Sequence, residues 1–257
     1  MRVAVVQMMV TDGNPSVNFA HAENLIKQSP GANLYLLPEL WTTGYDHSSW
    51  NNTAVNITPK ICADLQELSQ TLKAWIGGSM ISSRDDVGLA NRFWLFSPKG
   101  DVPIHYDKVH LFSPMKEDKY LSHGETTVMT QIDEFKASLS ICFDLRFPAM
   151  YCQTAIDGAN LFLVASEWPH PRYETLRLLA RARAVENQAF LLLSNRLGPA
   201  SDGTNFCGGS MIVAPDGQIV ADAEDSEQVI ITDIDIEQSA KLRSNLAVLS
   251  RGIAGID

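Results

Sequence analysis

Residues 138–166 read SLSICFDLRFPAMYCQTAIDGANLFLVAS, and this stretch decides the fold class. SLSICF at 138–143 and LFLVAS at 161–166 are short apolar runs of strand length. Between them, 147–157 carries its apolar residues at helical spacing. A strand, a helix and a strand in succession predict a layered α/β domain rather than an all-β one.

The alternation continues in both directions. VAVVQM at 3–8, LYLLP at 34–38, WIGGSMI at 75–81, RFWLF at 92–96 and FLLLSN at 190–195 read as further strands, and 17–28, 59–73 and 172–188 as helices. Two segments break the pattern. RFWLFSPKGDVPIHYDK turns at Pro98, Lys99, Gly100 and Asp101, and GGSMIVAPDGQIVADAE turns at Pro215, Asp216 and Gly217, so both predict antiparallel hairpins and a mixed sheet. No internal repeat, low-complexity tract or Gly/Ser linker interrupts the chain, and residues 1–257 are expected to form one domain. From Ile236 onward a helix-like piece, IEQSAKLRSN, precedes an irregular tail. The Leu, Val and Ile residues of 236–257 need cover, which predicts a contact with a partner subunit.

Composition narrows the function. The chain has 257 residues, 20 of them Lys or Arg and 30 Asp or Glu, a formal charge of −10. Such a field repels phosphate backbones and anionic lipid, so neither nucleic acid nor a membrane is an expected partner. The apolar start, MRVAVVQMMV, is too short to span a bilayer and reads as a buried strand. Cys62, Cys142, Cys152 and Cys207 are widely spaced, which favours reduced thiols and a cytoplasmic location over a disulfide framework. They also lack the paired spacing of a structural zinc site, and His105 and His110, five apart, share neither a strand face nor a helix face. No metal and no cofactor is expected.

Three chemically active residues stand where apolar segments end. Glu39 follows LYLLP, where burial would raise its pKa toward that of a general base; the alternative is a strand-end Glu in water. Cys142 ends SLSIC ahead of the turn into DLRFPAMY, where helix-terminal N–H groups and a nearby cation would favour a thiolate; the alternative is an ordinary buried cysteine. Lys108 closes VPIHYDK and can supply fixed positive charge to an oxyanion, the alternative being a surface lysine.

The order of Glu39 in LLPELWTTGY, Lys108 in YDKVHLF and Cys142 in CFDLRFP resembles the Glu-Lys-Cys triad of the nitrilase superfamily. AVVQM, ARAVENQ at 182–188, Asn195-Arg196 and GGSMIVAPDGQIV at 208–220 are similar to the corresponding family segments, so the resemblance spans nearly the whole chain. Within the superfamily, SEWPHPRYETLRLLARARAVENQ looks most like the omega-amidase branch. The resemblance implies a four-layer α-β-β-α sandwich with mixed sheets that pairs into a homodimer or a higher homo-oligomer. It implies hydrolysis, with water as co-substrate, of a small-molecule omega-amide of a 2-oxo acid, such as 2-oxoglutaramate, releasing ammonia. A deaminated-glutathione amidase, an N-carbamoyl amine amidohydrolase, a nitrilase and a family member that only binds a metabolite or partner remain alternatives. Cys142 would attack, Glu39 would move the proton, and Lys108 with the backbone N–H of Phe143 would hold the oxyanion. Glu117, five residues after Phe112, resembles the second glutamate that orients the lysine, although the run to Tyr120 departs from the family's usual spacing. Substrate contacts are expected from Tyr45, Phe143 and Trp168 as apolar lining and from Arg146 or Arg172 as carboxylate partners. Arg146 has a competing expected role, bracing the turn behind Cys142 through Asp144 or another acid. His170, in WPHPR, is a further candidate for substrate contact, or a solvated loop residue.

Overall fold

The computed structural model describes residues 1–84 and 87–249. Two six-stranded mixed sheets lie at its centre. The first contains β1 (Arg2–Gln7), β2 (Leu34–Leu36), β3 (Trp75–Ser83), β4 (Leu89–Phe96), β5 (Ile104–Asp107) and, at its other edge beside β1, β14 (Gln228–Asp233). The second runs β13 (Ile219–Asp222), β12 (Met211–Val213), β9 (Phe190–Asn195), β8 (Leu161–Ser166), β7 (Phe135–Ile141), β6 (Val128–Ile132). A small ribbon, β10 (Leu197–Pro199) with β11 (Asn205–Cys207), extends beyond β9.

Alternation along each strand sorts side chains into layers. Val3, Val5, Leu34, Leu36, Phe93 and Leu95 of the first sheet share one core with Leu139, Ile141, Leu163 and Leu191 of the second. Ala4, Val6, Tyr35, Leu37, Ile76 and Phe96 face the opposite way, onto Ala22 and Ile26 of α1 (Pro15–Gln28) and Ile61, Leu65 and Leu68 of α3 (Thr58–Leu72). Between those helices lies the short α2 (His47–Asn52). A one-turn α4 (Glu117–Tyr120) follows β5. On the second sheet, α5 (Pro148–Ile156) and α6 (Tyr173–Asn187) add Tyr151, Ala155, Leu176, Ala180 and Ala184 to the buried set. The order is helix, sheet, sheet, helix, as the family resemblance implies.

Both predicted hairpins form: Arg92 to Leu95 pair with Asp107 to Ile104, and Met211 to Val213 pair with Asp222 to Ile219. The expected strand at 138–143 is corrected at both ends, since β7 starts at Phe135 and Cys142 has already left it. Lys108 likewise follows its strand instead of closing it. Strands β6 and β14 carry mixed polar and apolar residues and sit at sheet edges, so they lack the continuous apolar run that marks a central strand. IEQSAKLRSN forms α7 (Ile236–Asn245), held to its own chain by Gln188 Nε2 donating to Leu242 O and Leu246 O and by Arg243 donating to Ala159 O and Asn187 O. Residues 250–257 of the expected interface tail lie outside the described residues.

One glycine shapes the end of β5. A Cβ on Gly124 would lie 2.0 Å from the Asp107 carbonyl oxygen, and the Gly124 N–H donates to Lys108 O at 2.8 Å. Gly124→Ala must push this backbone away from Lys108. The expected outcome is a loss of about 1–3 kcal/mol of stability, read as a lower Tm in thermal unfolding; an unchanged Tm would contradict the close approach.

Candidate active site

Cys142 follows β7 with a positive φ of 45°, a backbone conformation that costs a non-glycine residue energy unless its surroundings hold it. They do so through Asp144. Its carboxylate accepts from Ile141 N at 2.9 Å, Tyr106 Oη at 2.7 Å and His110 N at 3.1 Å, and it contacts His110 Nδ1 at 2.8 Å. The His110 ring in turn stacks on Phe147, 3.5 Å between centroids. From the helix layer, Arg183 donates to Leu145 O through Nε at 3.0 Å and Nη2 at 2.7 Å. The tight turn Cys142–Arg146 is thus fixed from both sides.

The other expected groups meet it. Glu39, Lys108 and Glu117 are all buried. Lys108 Nζ donates to Glu39 Oε1 at 2.7 Å and to Glu117 Oε1 and Oε2 at 2.9 and 2.8 Å. Asn91 Nδ2 joins the two carboxylates, at 2.8 Å from Glu39 Oε1 and 3.2 Å from Glu117 Oε1. Tyr45 Oη lies 3.3 Å from the same Glu39 oxygen and 3.0 Å from the same Glu117 oxygen. The Phe112 N–H donates to Glu117 Oε2 at 2.6 Å and the Glu167 N–H to Glu39 Oε2 at 2.8 Å. The solvated alternatives for Glu39, Lys108 and Glu117 are therefore excluded.

Electrostatics sets the protonation of the cluster. Burial raises the Glu39 carboxyl above its ordinary 4.5, and Lys108 offsets only part of that rise. Burial alone would lower the Lys108 pKa, but Glu117 and Glu39 outweigh it and keep the ammonium charged. The Cys142 thiol is pushed well above its ordinary 9.0, first by burial and then by the Glu39 charge, against the opposing pull of Lys108. Burial and the Glu39 charge thus oppose the thiolate that helix-terminal N–H groups and Lys108 would favour, and the sulfur stands beside a carboxyl group that acts on it by charge and hydrogen bonding.

A cavity opens at the sulfur, lined by Phe112, Cys142, Phe143, Glu167, Trp168 and Pro169 with Arg146 and Arg172. Arg146 lies over the Trp168 ring at 5.4 Å and Arg172 over the Phe112 ring at 5.6 Å. A wider depression around His170, Tyr173, Arg177 and Asp222 contains none of the four clustered residues, so His170 faces a different concavity. Among the described residues, no group of three or more His, Cys, Asp or Glu is arranged to hold a metal ion.

Two expectations change. Arg146 does not brace the turn: Asp144 is taken by Tyr106, His110 and Ile141, Arg146 is exposed without an ion pair among the described residues, and Arg183 supplies the brace. Tyr45 is not an apolar wall but a hydroxyl on the two glutamates. Phe143, Trp168 and Arg172 do line the cavity. Sequence reasoning passed over Asn91, Arg183 and Glu167. Asn91 stands beside Arg92 in β4 and Arg183 repeats within LARARAVEN, polar positions in regular elements whose burial and partners residue order does not reveal.

Comparison with known proteins identifies the family and the fold. The sequence pattern of the carbon-nitrogen hydrolase family matches residues 2–244. The chain is 32% identical over 247 residues to a 2-oxoglutaramate amidase of Bacillus subtilis, covering 96% of this chain and 95% of that one. It is 28% identical over 240 residues to the omega-amidase YafV of Escherichia coli, covering 93% and 91%. Among solved structures it superposes with a TM-score of 0.92 on a CN-hydrolase superfamily protein of Xanthomonas campestris with an arsenic adduct in its active site, at 27% identity and 98% and 97% coverage. A fold of two facing mixed sheets, a buried Glu-Lys-Glu cluster beside a strained cysteine, and a family pattern running from the first strand into the last described helix lead to one assignment: the chain belongs to the carbon-nitrogen hydrolase family.

Proposed function

We propose that the chain hydrolyses the primary amide of a short 2-oxo acid omega-amide such as 2-oxoglutaramate, with Cys142 as nucleophile. The observation that carries this reading is the hydrogen-bonded cluster of Glu39, Lys108 and Glu117 at 2.7–2.9 Å, at the turn that presents the Cys142 thiol. Glu39 takes the thiol proton as sulfur bonds to the amide carbon. The carbonyl π electrons move to oxygen, which Lys108 and the Phe143 N–H stabilise. The protonated Glu39 then gives its proton to nitrogen, the C–N bond breaks, and ammonia leaves a thioester. Water, deprotonated by Glu39, attacks that thioester; the acid departs and the proton returns to sulfur. Glu117 acts by holding Lys108 in place.

The substrate class is supported by the activities for which the Bacillus subtilis and Escherichia coli relatives are named and by the two guanidinium groups at the cavity. A planar guanidinium matches the carboxylate at the far end of a 2-oxo dicarboxylate monoamide. Cytoplasmic action as a homodimer belongs to the same reading. Leu178 and Val185, two turns apart on α6, and Ile156 on neighbouring α5 expose apolar surface that a second copy would cover. A monomeric mass by sedimentation, or activity recovered only in a secreted fraction, would reject that part.

The direct test is ammonia release from a panel of 2-oxoglutaramate, deaminated glutathione, carbamoylputrescine and simple nitriles. Wild type should act fastest on 2-oxoglutaramate, and Cys142→Ala should lose at least about a thousandfold in kcat/KM; equal rates for the two proteins would end the thiol mechanism. The base must be ionised to accept a proton, so activity should be present above the raised pKa of Glu39 and lost as pH falls through it. The acid limb of kcat/KM is therefore expected above the usual carboxylate value of 4.5, and a limb below it would contradict the buried base.

Arg146→Ala and Arg172→Ala separate binding from chemistry. At least one should raise KM for 2-oxoglutaramate roughly 10- to 100-fold, the loss of a charge-assisted hydrogen bond, while leaving a neutral short amide unaffected. Unchanged KM in both would remove the carboxylate-binding role.

A further inference from the structure

Glu167 is a buried carboxylate that the reaction scheme leaves without a role. It directly follows β8, it is fully buried, and it lines the same cavity as Cys142. Its backbone N–H donates to Glu39 Oε2 at 2.8 Å, which places it next to the expected base. One carboxylate oxygen, Oε1, is gripped by Arg196 Nη1. Arg196 is itself tied down by Asp12 Oδ1 at 2.8 Å, Val10 O at 2.9 Å and Pro199 O at 3.2 Å, so the carboxylate is held from behind. The other oxygen, Oε2, is buried and has no hydrogen-bond partner among the described residues. A buried acceptor in that condition costs free energy and calls for an explanation.

The chemistry of a primary amide supplies the missing partner. With its oxygen directed to Lys108 and the Phe143 N–H, the amide presents two N–H donors on the side of Glu39, which must later protonate that nitrogen. Glu39 is already heavily used: Oε1 accepts from Lys108 and Asn91, and Oε2 from Glu167 N. We infer that Glu167 Oε2 accepts an N–H of the scissile carboxamide, making Glu167 a specificity-determining residue that selects unsubstituted amides by their nitrogen end. This inference rests on the reading that Cys142 hydrolyses a primary amide. The ionised carboxylate is the stronger acceptor; burial opposes that form, and the Arg196 guanidinium and the incoming N–H favour it.

The test compares an amide with the methyl ester of the same acid, because the ester's leaving oxygen carries no N–H. In Glu167→Gln the side-chain oxygen can stay on Arg196 and an NH2 donor then replaces the acceptor in the cavity. Assays at about pH 9 keep the wild-type carboxyl ionised, since burial pushes it up to about 8 against the pull of Arg196. The amide kcat/KM is expected to fall roughly 10- to 100-fold while the ester changes less than about threefold. Glu167→Asp, which keeps the charge but withdraws the oxygen, should show the same selective loss and covers the case in which the glutamine variant does not fold. Equal losses on amide and ester, or no loss on either, overturn the inference. Failure of the wild type to release ammonia from any primary amide would instead overturn the parent reading.

Discussion

The Lys108 ammonium lies fully buried between Glu39 and Glu117, and the surrounding groups are arranged to hold it there. Two carboxylates and one cation removed from water are tolerated only where nearly every lone pair and proton finds a partner. Here Asn91, Tyr45 and the backbone N–H groups of Phe112 and Glu167 provide them. Asn91 comes from β4 of the first sheet, Tyr45 and Phe112 from loops beside that sheet, and Glu167 from the loop after β8 of the second, so the ion cluster joins the ends of both sheets. A lysine placed this way cannot swing out as a surface lysine does, and it is a fixed charge before any substrate arrives.

The same crowding settles how the sulfur is used. A lone lysine beside a cysteine would favour a thiolate, but the neighbouring glutamate and the loss of solvent act the other way and prevail. The proton is thereby held on sulfur more tightly than in water, beside the Glu39 carboxyl that the proposed reaction uses to remove it. The strained turn at Cys142 fits this use. It is held through Asp144 and Arg183, so the backbone that carries the sulfur is fixed by the scaffold. Behind the base, Arg196 joins Asp12 and Glu167, tying the loop after β1 to the loop after β8.

Some of this was legible from residue order alone. The strand-helix-strand pattern of 138–166, the two hairpins and the helix at Ile236–Asn245 follow from local periodicity and turn chemistry, which act over a few residues. The edge strands β6 and β14 were not legible, because a half-polar strand is recognisable only from the neighbour it pairs with. Arg146 and Arg183 show the same limit. Both stand near the helix layer in sequence, and only the fold decides that the distant one reaches the Leu145 carbonyl while the adjacent one lies on Trp168.

Residue order marked Glu39, Lys108 and Cys142 only weakly, as reactive groups near the ends of apolar segments, and the resemblance to the nitrilase superfamily is what joined them. Folding adds the geometry of their meeting, the burial that opposes ionisation of the Cys142 thiol, and the unpartnered Glu167 oxygen beside them. Propensity and pattern are local, whereas burial and charge proximity are sums over groups brought together from the whole chain.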